Sequence, residues 1–204
     1  MPRGIFATQP VDAPYTDPVY SYSMVSKDAS VNDFGLLIAY VLPGFTAIWG
    51  LSFLSPSLRQ WLGSSQAEAA TLAGFLYATV ASIIAGMTVS TIRWLLLDAL
   101  HHRTGIRPPA WDFYQLRDSA AAFDTLVNIH YKYYQFNANM LVSLAVAFLA
   151  RRVSMGFWSA PLGWLDLACL ALAVVFYLGS RDTLAKYYAR TGQLLQARRR
   201  VPAR

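Results

Sequence analysis

The stretch AATLAGFLYATVASIIAGMTVSTI, residues 69–92, decides the fold, because it runs for 24 residues without a charged side chain. A helix of that length is ~36 Å long at ~1.5 Å per residue, which is enough to cross the ~30 Å hydrocarbon core of a bilayer. Small side chains on one face of such a helix let another backbone approach closely, within the bundle or between copies of the chain. The stretch predicts such a helix-packing face, with a small residue at every fourth position: Ala70, Gly74, Ala78, Ser82, Gly86 and Ser90.

Three more stretches are long and nearly free of charged residues. Residues 34–58 and 133–150 carry no charge, and residues 161–180 are interrupted only by Asp166. The whole chain is 55% hydrophobic and only 14% charged, whereas a soluble domain carries roughly 25% charged residues. This balance disfavours a soluble enzyme and a disordered chain. It predicts an all-α integral membrane protein with four transmembrane helices, at 34–58, 69–92, 133–150 and 161–180.

The distribution of basic residues predicts the orientation of these spans. With four spans, 14 of the 17 Lys and Arg residues fall on the side of both termini, and three fall on the other side. Basic residues favour the cytoplasmic side, so both termini are expected in the cytoplasm. The low share of Lys among the basic residues is typical of a bacterial chain, which suggests the bacterial inner membrane.

Three cytoplasmic segments follow from this topology. Residues 1–33 contain recurring X-Pro pairs and predict an extended arm, and residues 93–132 form a cytoplasmic loop. Residues 181–204 predict a basic helical tail. Its closing Arg198, Arg199 and Arg200 are expected to bind anionic lipid headgroups. The net charge of +6 is explained by this membrane topology, and no nucleic-acid partner is expected.

A polar stripe enters the third span. It comprises Asn128, Lys132, Gln135 and Asn139, which are separated by steps of four, three and four and therefore share a helix face. Amides in hydrocarbon need a hydrogen-bond partner or water. The stripe thus predicts a contact with another helix or subunit, or the lining of a water-filled pathway.

Two further positions inside the predicted spans also need a hydrogen-bond or ion-pair partner. Pro43 has no N–H, so it leaves the carbonyl of Ala39 without its helical donor, and Thr46 or a neighbouring helix has to supply one. Asp166 is an intramembrane acid. We expect it to act as a helix cap or as an ion-pair partner of a neighbouring arginine, the alternative being an ion-pathway carboxylate.

The histidines suggest a metal site as one hypothesis. Asp98 and His102 are four residues apart on one helix, next to His101, and His130 comes from the following helix. Such a set has the chemistry of a metal site. Histidines that tune charge near the headgroups are the alternative. The sequence has no HExxH motif, and no cofactor is predicted beyond this possible metal.

The sequence contains no GxSxG, P-loop or GxGxxG motif. It therefore predicts a non-enzymatic polytopic inner-membrane protein that self-associates or joins a larger complex, with a pore-forming or membrane-effector subunit as the most specific version. One alternative is a small metal- or lipid-handling membrane enzyme that uses the His/Asp set. Another is a structural accessory subunit of a respiratory, photosynthetic or secretion complex.

The topology is tested by reporter fusions at Ser64 and at the C-terminus. We expect the two reporters to lie on opposite sides of the membrane, with the C-terminus in the cytoplasm, because the positive charge is so unevenly distributed. Two reporters on the same side would contradict the four-span arrangement.

Overall fold

A computed structural model describes residues 38–63, 72–110 and 120–199, and over these ranges the chain forms helices and no strands. We label the helices α1 (Ile38–Leu51), α2 (Pro56–Gly63), α3 (Leu72–Arg93, a π turn Trp94–Asp98, then Ala99–Arg103), α4 (Ala120–Leu126, a π turn Val127–Tyr131, then Lys132–Ser154) and α5 (Trp164–Arg199). The predicted arm of residues 1–33 lies outside the described residues. So do Ala70, Arg200 and the side chains of Arg198 and Arg199.

Three helices are long and apolar enough to cross a membrane: Gly74–Arg103, Ala120–Ser154 and Trp164–Gln196. The all-α prediction is confirmed for the described residues. The most apolar 18-residue window of each helix is 44% buried in α4, compared with 17% in α3 and 11% in α5. Helix α4 is therefore the centre of the bundle, and α3 and α5 flank it.

The first predicted span, 34–58, is not one continuous helix where the structure describes it. Helix α1 ends at Leu51, a turn covers residues 52–54, and α2 begins at Pro56. Proline disfavours helical backbone in the residue before it, which explains the break at Ser55. The 14 described residues of α1 extend ~21 Å, less than the ~30 Å hydrocarbon core. The four-span count therefore stays a prediction.

Helices α3 and α4 both contain a π turn, at Trp94–Asp98 and Val127–Tyr131. Both turns lie at the same end of the bundle, since α3 finishes there and α4 begins there. Helix α3 ends at Arg103, and Gly105 follows with a φ of +100°, a left-handed conformation that favours glycine at a helix C-terminus. π turns are rare and often lie at functional sites. This end, which carries the three histidines, is called the histidine end below, and the other the Asp166 end.

Helices α1 and α3 approach each other at two glycines. A Cβ placed on Gly86 would lie 2.1 Å from the carbonyl oxygen of Tyr40, and one placed on Gly44 would lie 1.8 Å from that of Ser82. Gly86 and Ser82 of the small-residue series are thus buried against α1 of the same chain. The other members that the structure describes are less enclosed: Ala78 and Ser90 are half-buried and Gly74 is exposed.

The glycine contact is tested by Gly86→Ala with Gly63→Ala as the matched control. The added methyl group at Gly86 collides with backbone, whereas a Cβ at Gly63 meets nothing within 4 Å. Overpacking costs about 1–3 kcal/mol, so we expect a clearly lower unfolding midpoint in detergent for Gly86→Ala, measured by circular dichroism, and a nearly unchanged one for Gly63→Ala. Equal midpoints would mean that α1 and α3 are not in contact.

Candidate functional site

The innermost residue of the polar stripe, Asn139, joins α4 to α1. Its side chain is 0% exposed, and its Nδ2 donates to the carbonyl oxygen of Ala39 at 3.0 Å. This is the carbonyl that Pro43 leaves without a helical donor. The amide of Asn139 therefore replaces the missing N–H, and it does so from a neighbouring helix.

The other stripe residues are distributed differently. Nδ2 of Asn128 donates to the Asp124 carboxylate one turn earlier at 3.0 Å, and Lys132 and Gln135 are half-buried. Because α1 covers Asn139, the four side chains do not form one open polar face along α4. Their geometry favours the helix-contact interpretation over a pathway within a single copy.

At the Asp166 end, the carboxylate of Asp166 is held inside the chain. It is 1% exposed and accepts from the backbone N–H of Gly163 at 2.9 Å. Nε of Arg151 lies 3.3 Å from Oδ1, and Nη1 of Arg152 lies 3.7 Å from Oδ2. A carboxylate in the first turn that binds the preceding N–H is a helix N-cap arrangement. In the structure, Asp166 thus has the contacts of a helix cap and of an ion-pair partner of two arginines.

Arg152 organises the turn that precedes α5. Its guanidinium donates to the carbonyl oxygens of Phe157 at 2.7 Å, Ala160 at 2.8 Å and Pro161 at 3.3 Å. A buried cation is tolerated when its donors are satisfied and an opposite charge is near. Helix α5 begins at Trp164 rather than at Pro161; just before it, the carbonyl of Pro161 accepts from Arg152, and the N–H of Gly163 donates to Asp166.

At the histidine end, His101 and Ser180 join α3 to α5. Both are 0% exposed, and Nε2 of His101 lies 3.1 Å from Oγ of Ser180. The Ser180 hydroxyl donates its single proton to the carbonyl of Tyr177 at 2.8 Å, so Nε2 of His101 is the donor to Oγ and carries the ring proton. The Nδ1 atom of His101 is buried without a partner in the described part of the chain.

Asp98 contacts α4 rather than a histidine. It accepts a short hydrogen bond from the hydroxyl of Tyr134, which is 1% exposed. The guanidinium of Arg93 lies over the ring of Tyr134, 5.3 Å from its centroid, in a cation–π arrangement. Tyr134 thus links Arg93 and Asp98 of α3 to the centre of the bundle.

The two remaining histidines bind residues of α5. Nε2 of His102 lies 3.2 Å from the hydroxyl of Tyr188 and the rings stack, while Nη1 of Arg190 donates to Nε2 of His130. Across the described ranges, no group of three or more His, Cys, Asp or Glu side chains is placed to hold a metal. The four residues of the metal hypothesis share one end of the bundle, but they engage separate partners.

A serine hydrogen-bonded to a histidine is also the arrangement of an activated nucleophile. Here the hydroxyl proton of Ser180 points to a backbone carbonyl rather than to the imidazole, and both residues are fully buried. The pair therefore connects helices and offers no surface to a substrate. Arg181 has a similar function, since it donates to the side chain and the carbonyl of Thr104 at 2.7 and 2.9 Å and so caps α3.

Sequence reasoning missed Arg93, Tyr134, Ser180 and Arg190 as members of this cluster. The sequence places Arg93 at the start of a predicted cytoplasmic loop and Tyr134 at the start of the predicted third span, and it marks neither of them as a member of a site. A signal for Arg93 is present, because it directly follows the uncharged residues 69–92 in the sequence, of which 72–92 lie in the same helix. For Ser180 and Arg190 no local pattern marks their partners.

The bond from Asn139 to Ala39 is tested by Asn139→Leu, with Gln135→Leu as the control on the same helix. The first change leaves a buried carbonyl without a donor, which costs about 1–3 kcal/mol. Gln135 is only half-buried. We expect a lower unfolding midpoint for Asn139→Leu and a much smaller change for Gln135→Leu, measured in detergent by circular dichroism. A greater loss for Gln135→Leu would contradict the assignment.

Besides the bond from Asn139 to Ala39, the contacts of the described residues form a closed ion-pair network at the Asp166 end and an aromatic and histidine cluster at the other end. Their function has to be inferred from their own geometry and chemistry. No protein-family model, curated protein or solved structure matches this chain.

Proposed function

We propose that this chain is a non-enzymatic polytopic protein of the bacterial inner membrane that self-associates or joins a larger membrane complex. Its function is that of a subunit: it presents helical surfaces inside and beyond the bilayer. The observation that carries the proposal is the position of α5, whose most apolar window is only 11% buried.

The buried polar groups support this proposal because most of them are used to connect helices. Asn139 binds α1, His101 binds α5, and Asp166 binds two arginines of α4. In the described residues no serine, threonine or cysteine side chain is hydrogen-bonded to a histidine in an accessible position. Chemistry on a substrate would need such groups to reach a cleft.

The outward side of α5 supports a contact with other protein chains. Large apolar side chains more than half exposed recur along it: Trp164, Leu167, Val174, Val175 and Leu178. The helix has 36 residues and is ~54 Å long, which exceeds the ~30 Å hydrocarbon core by several turns. A helix that packs on its own bundle along one side only, and that continues past the membrane, is suited to contact a neighbouring subunit.

The pore version of this proposal requires several copies. Because Asn139 is covered by α1, a polar pathway would have to form between chains rather than through one bundle. The alternative of a metal- or lipid-handling enzyme would need His101, His102 and His130 to converge on one point, whereas the described structure does not group them for a metal ion. Metal analysis of the purified protein separates that alternative from a subunit function.

Self-association is tested by cysteine crosslinking in membranes, because the chain has a single native cysteine, Cys169. In a Cys169→Ala background, cysteine is introduced singly at Leu167, Val174 and Leu178 on the exposed side of α5, and at Ala138 as a buried control. We expect a covalent dimer under oxidising conditions from at least one position on α5 and none from Ala138, since a thiol in the core of the bundle cannot reach another copy.

The mass of the complex extracted from native membranes completes the test. A dimer or higher oligomer agrees with the crosslinks, and a fixed ratio to a second protein would favour the complex-subunit version. A monomer without any associated protein, combined with no crosslink on α5, would reject the proposal.

A further inference from the structure

Arg93 is a buried cation whose donors are not all used. Its side chain is 4% exposed, and its Nε and Nη1 atoms have no hydrogen-bond partner among the described residues. No carboxylate of the described ranges lies within ion-pair distance of it. Its contact with the Tyr134 ring is a cation–π contact and provides no hydrogen-bond acceptor for either of these two atoms. An unpaired buried charge is costly, so an anion close to Arg93 is expected to stabilise it.

Arg93 also lines an open groove of about 530 Å³ between α1 and α3. Tyr40 contributes from α1, and Ile83, Met87, Ser90 and Trp94 contribute from α3. These residues are ordered along α3. The apolar Ile83 and Met87 come first, and the polar Ser90 and the charged Arg93 follow ~5–15 Å further towards the histidine end, at ~1.5 Å per residue.

This order matches the chemistry of a phospholipid. Arginine binds phosphate through paired N–H donors, and an acyl chain lies favourably on apolar side chains. Trp94 is largely exposed beside the arginine, and tryptophan is enriched at the level of the headgroups. We propose that the groove binds one anionic phospholipid, with its phosphate against the part of Arg93 that lines the groove and one acyl chain along Ile83 and Met87.

Two alternatives fit the groove less well. Inorganic phosphate would satisfy Arg93 but would leave the apolar part of the groove without an occupant. A zwitterionic lipid carries its own cation, which offsets the charge that Arg93 needs. An anionic lipid such as phosphatidylglycerol satisfies both ends of the groove. This site lies between α1 and α3, so it is independent of a subunit contact through α5.

The site is tested by native mass spectrometry on the full chain in detergent. The protein is titrated with phosphatidylglycerol, with phosphatidylcholine of the same acyl chains, and with inorganic phosphate. We expect one phosphatidylglycerol per chain, bound at least ten times more tightly than phosphatidylcholine. We also expect inorganic phosphate not to displace it. Equal affinity for the two lipids would overturn the proposal, and displacement by inorganic phosphate would assign the site to free phosphate instead.

Variants locate the binding. Arg93→Gln removes the charge, and Arg103→Gln is the matched control, because Arg103 is an exposed arginine at the end of the same helix. We expect at least a tenfold loss of phosphatidylglycerol affinity for Arg93→Gln and no change for Arg103→Gln. Circular dichroism verifies that each variant is folded.

A second variant covers the case in which Arg93→Gln does not fold. Met87 is 59% exposed in the groove, so Met87→Trp narrows the acyl part without touching the charge. We expect this folded variant to bind phosphatidylglycerol several times more weakly. Unchanged affinity in either folded variant would mean that the lipid binds elsewhere on the apolar exterior, and the proposal would fail.

Discussion

The hydrogen bond from Asn139 to the carbonyl of Ala39 is the constraint on which the arrangement of this bundle depends. Pro43 takes the helical donor away from that carbonyl, and in a membrane no water replaces it. The amide of α4 can supply the donor only when α1 lies directly against it. Gly44 and Gly86 then allow the backbones of α1 and α3 to come into close contact. One proline, one amide and two glycines thus place α1 on both of its neighbours.

The two ends of the bundle differ in whether their buried polar groups have partners. At the Asp166 end, acid, arginines and loop carbonyls satisfy one another, and the result is a closed turn that begins α5. At the histidine end, Nδ1 of His101 and two donors of Arg93 have no partner in the described part of the chain. Unsatisfied buried groups are uncommon and call for an explanation. This asymmetry, together with the two π turns, is the reason why we propose a binding site at the histidine end.

A subunit function and a lipid site are physically compatible in this fold. The groove at Arg93 is bounded by α1 and α3, whereas the exposed apolar side of α5 belongs to another helix. The position of Tyr40 in the wall of the groove depends on the same α1–α3 contact that Gly86 permits. The packing that compensates Pro43 therefore also shapes the groove into which Arg93 opens.

The sequence by itself determined the all-helical fold, the long apolar helices, the face of small residues on α3 and the need of the Ala39 carbonyl for a donor. These follow from composition and helical periodicity, which are local. Only the tertiary structure decided that Asn139 is the donor, that His101, His102 and His130 bind separate partners, and that Arg93 is buried instead of solvated in a loop. Periodicity assigns a side chain to a face of its own helix, but the helix that this face meets, and the depth at which it lies, depend on how all the helices pack together.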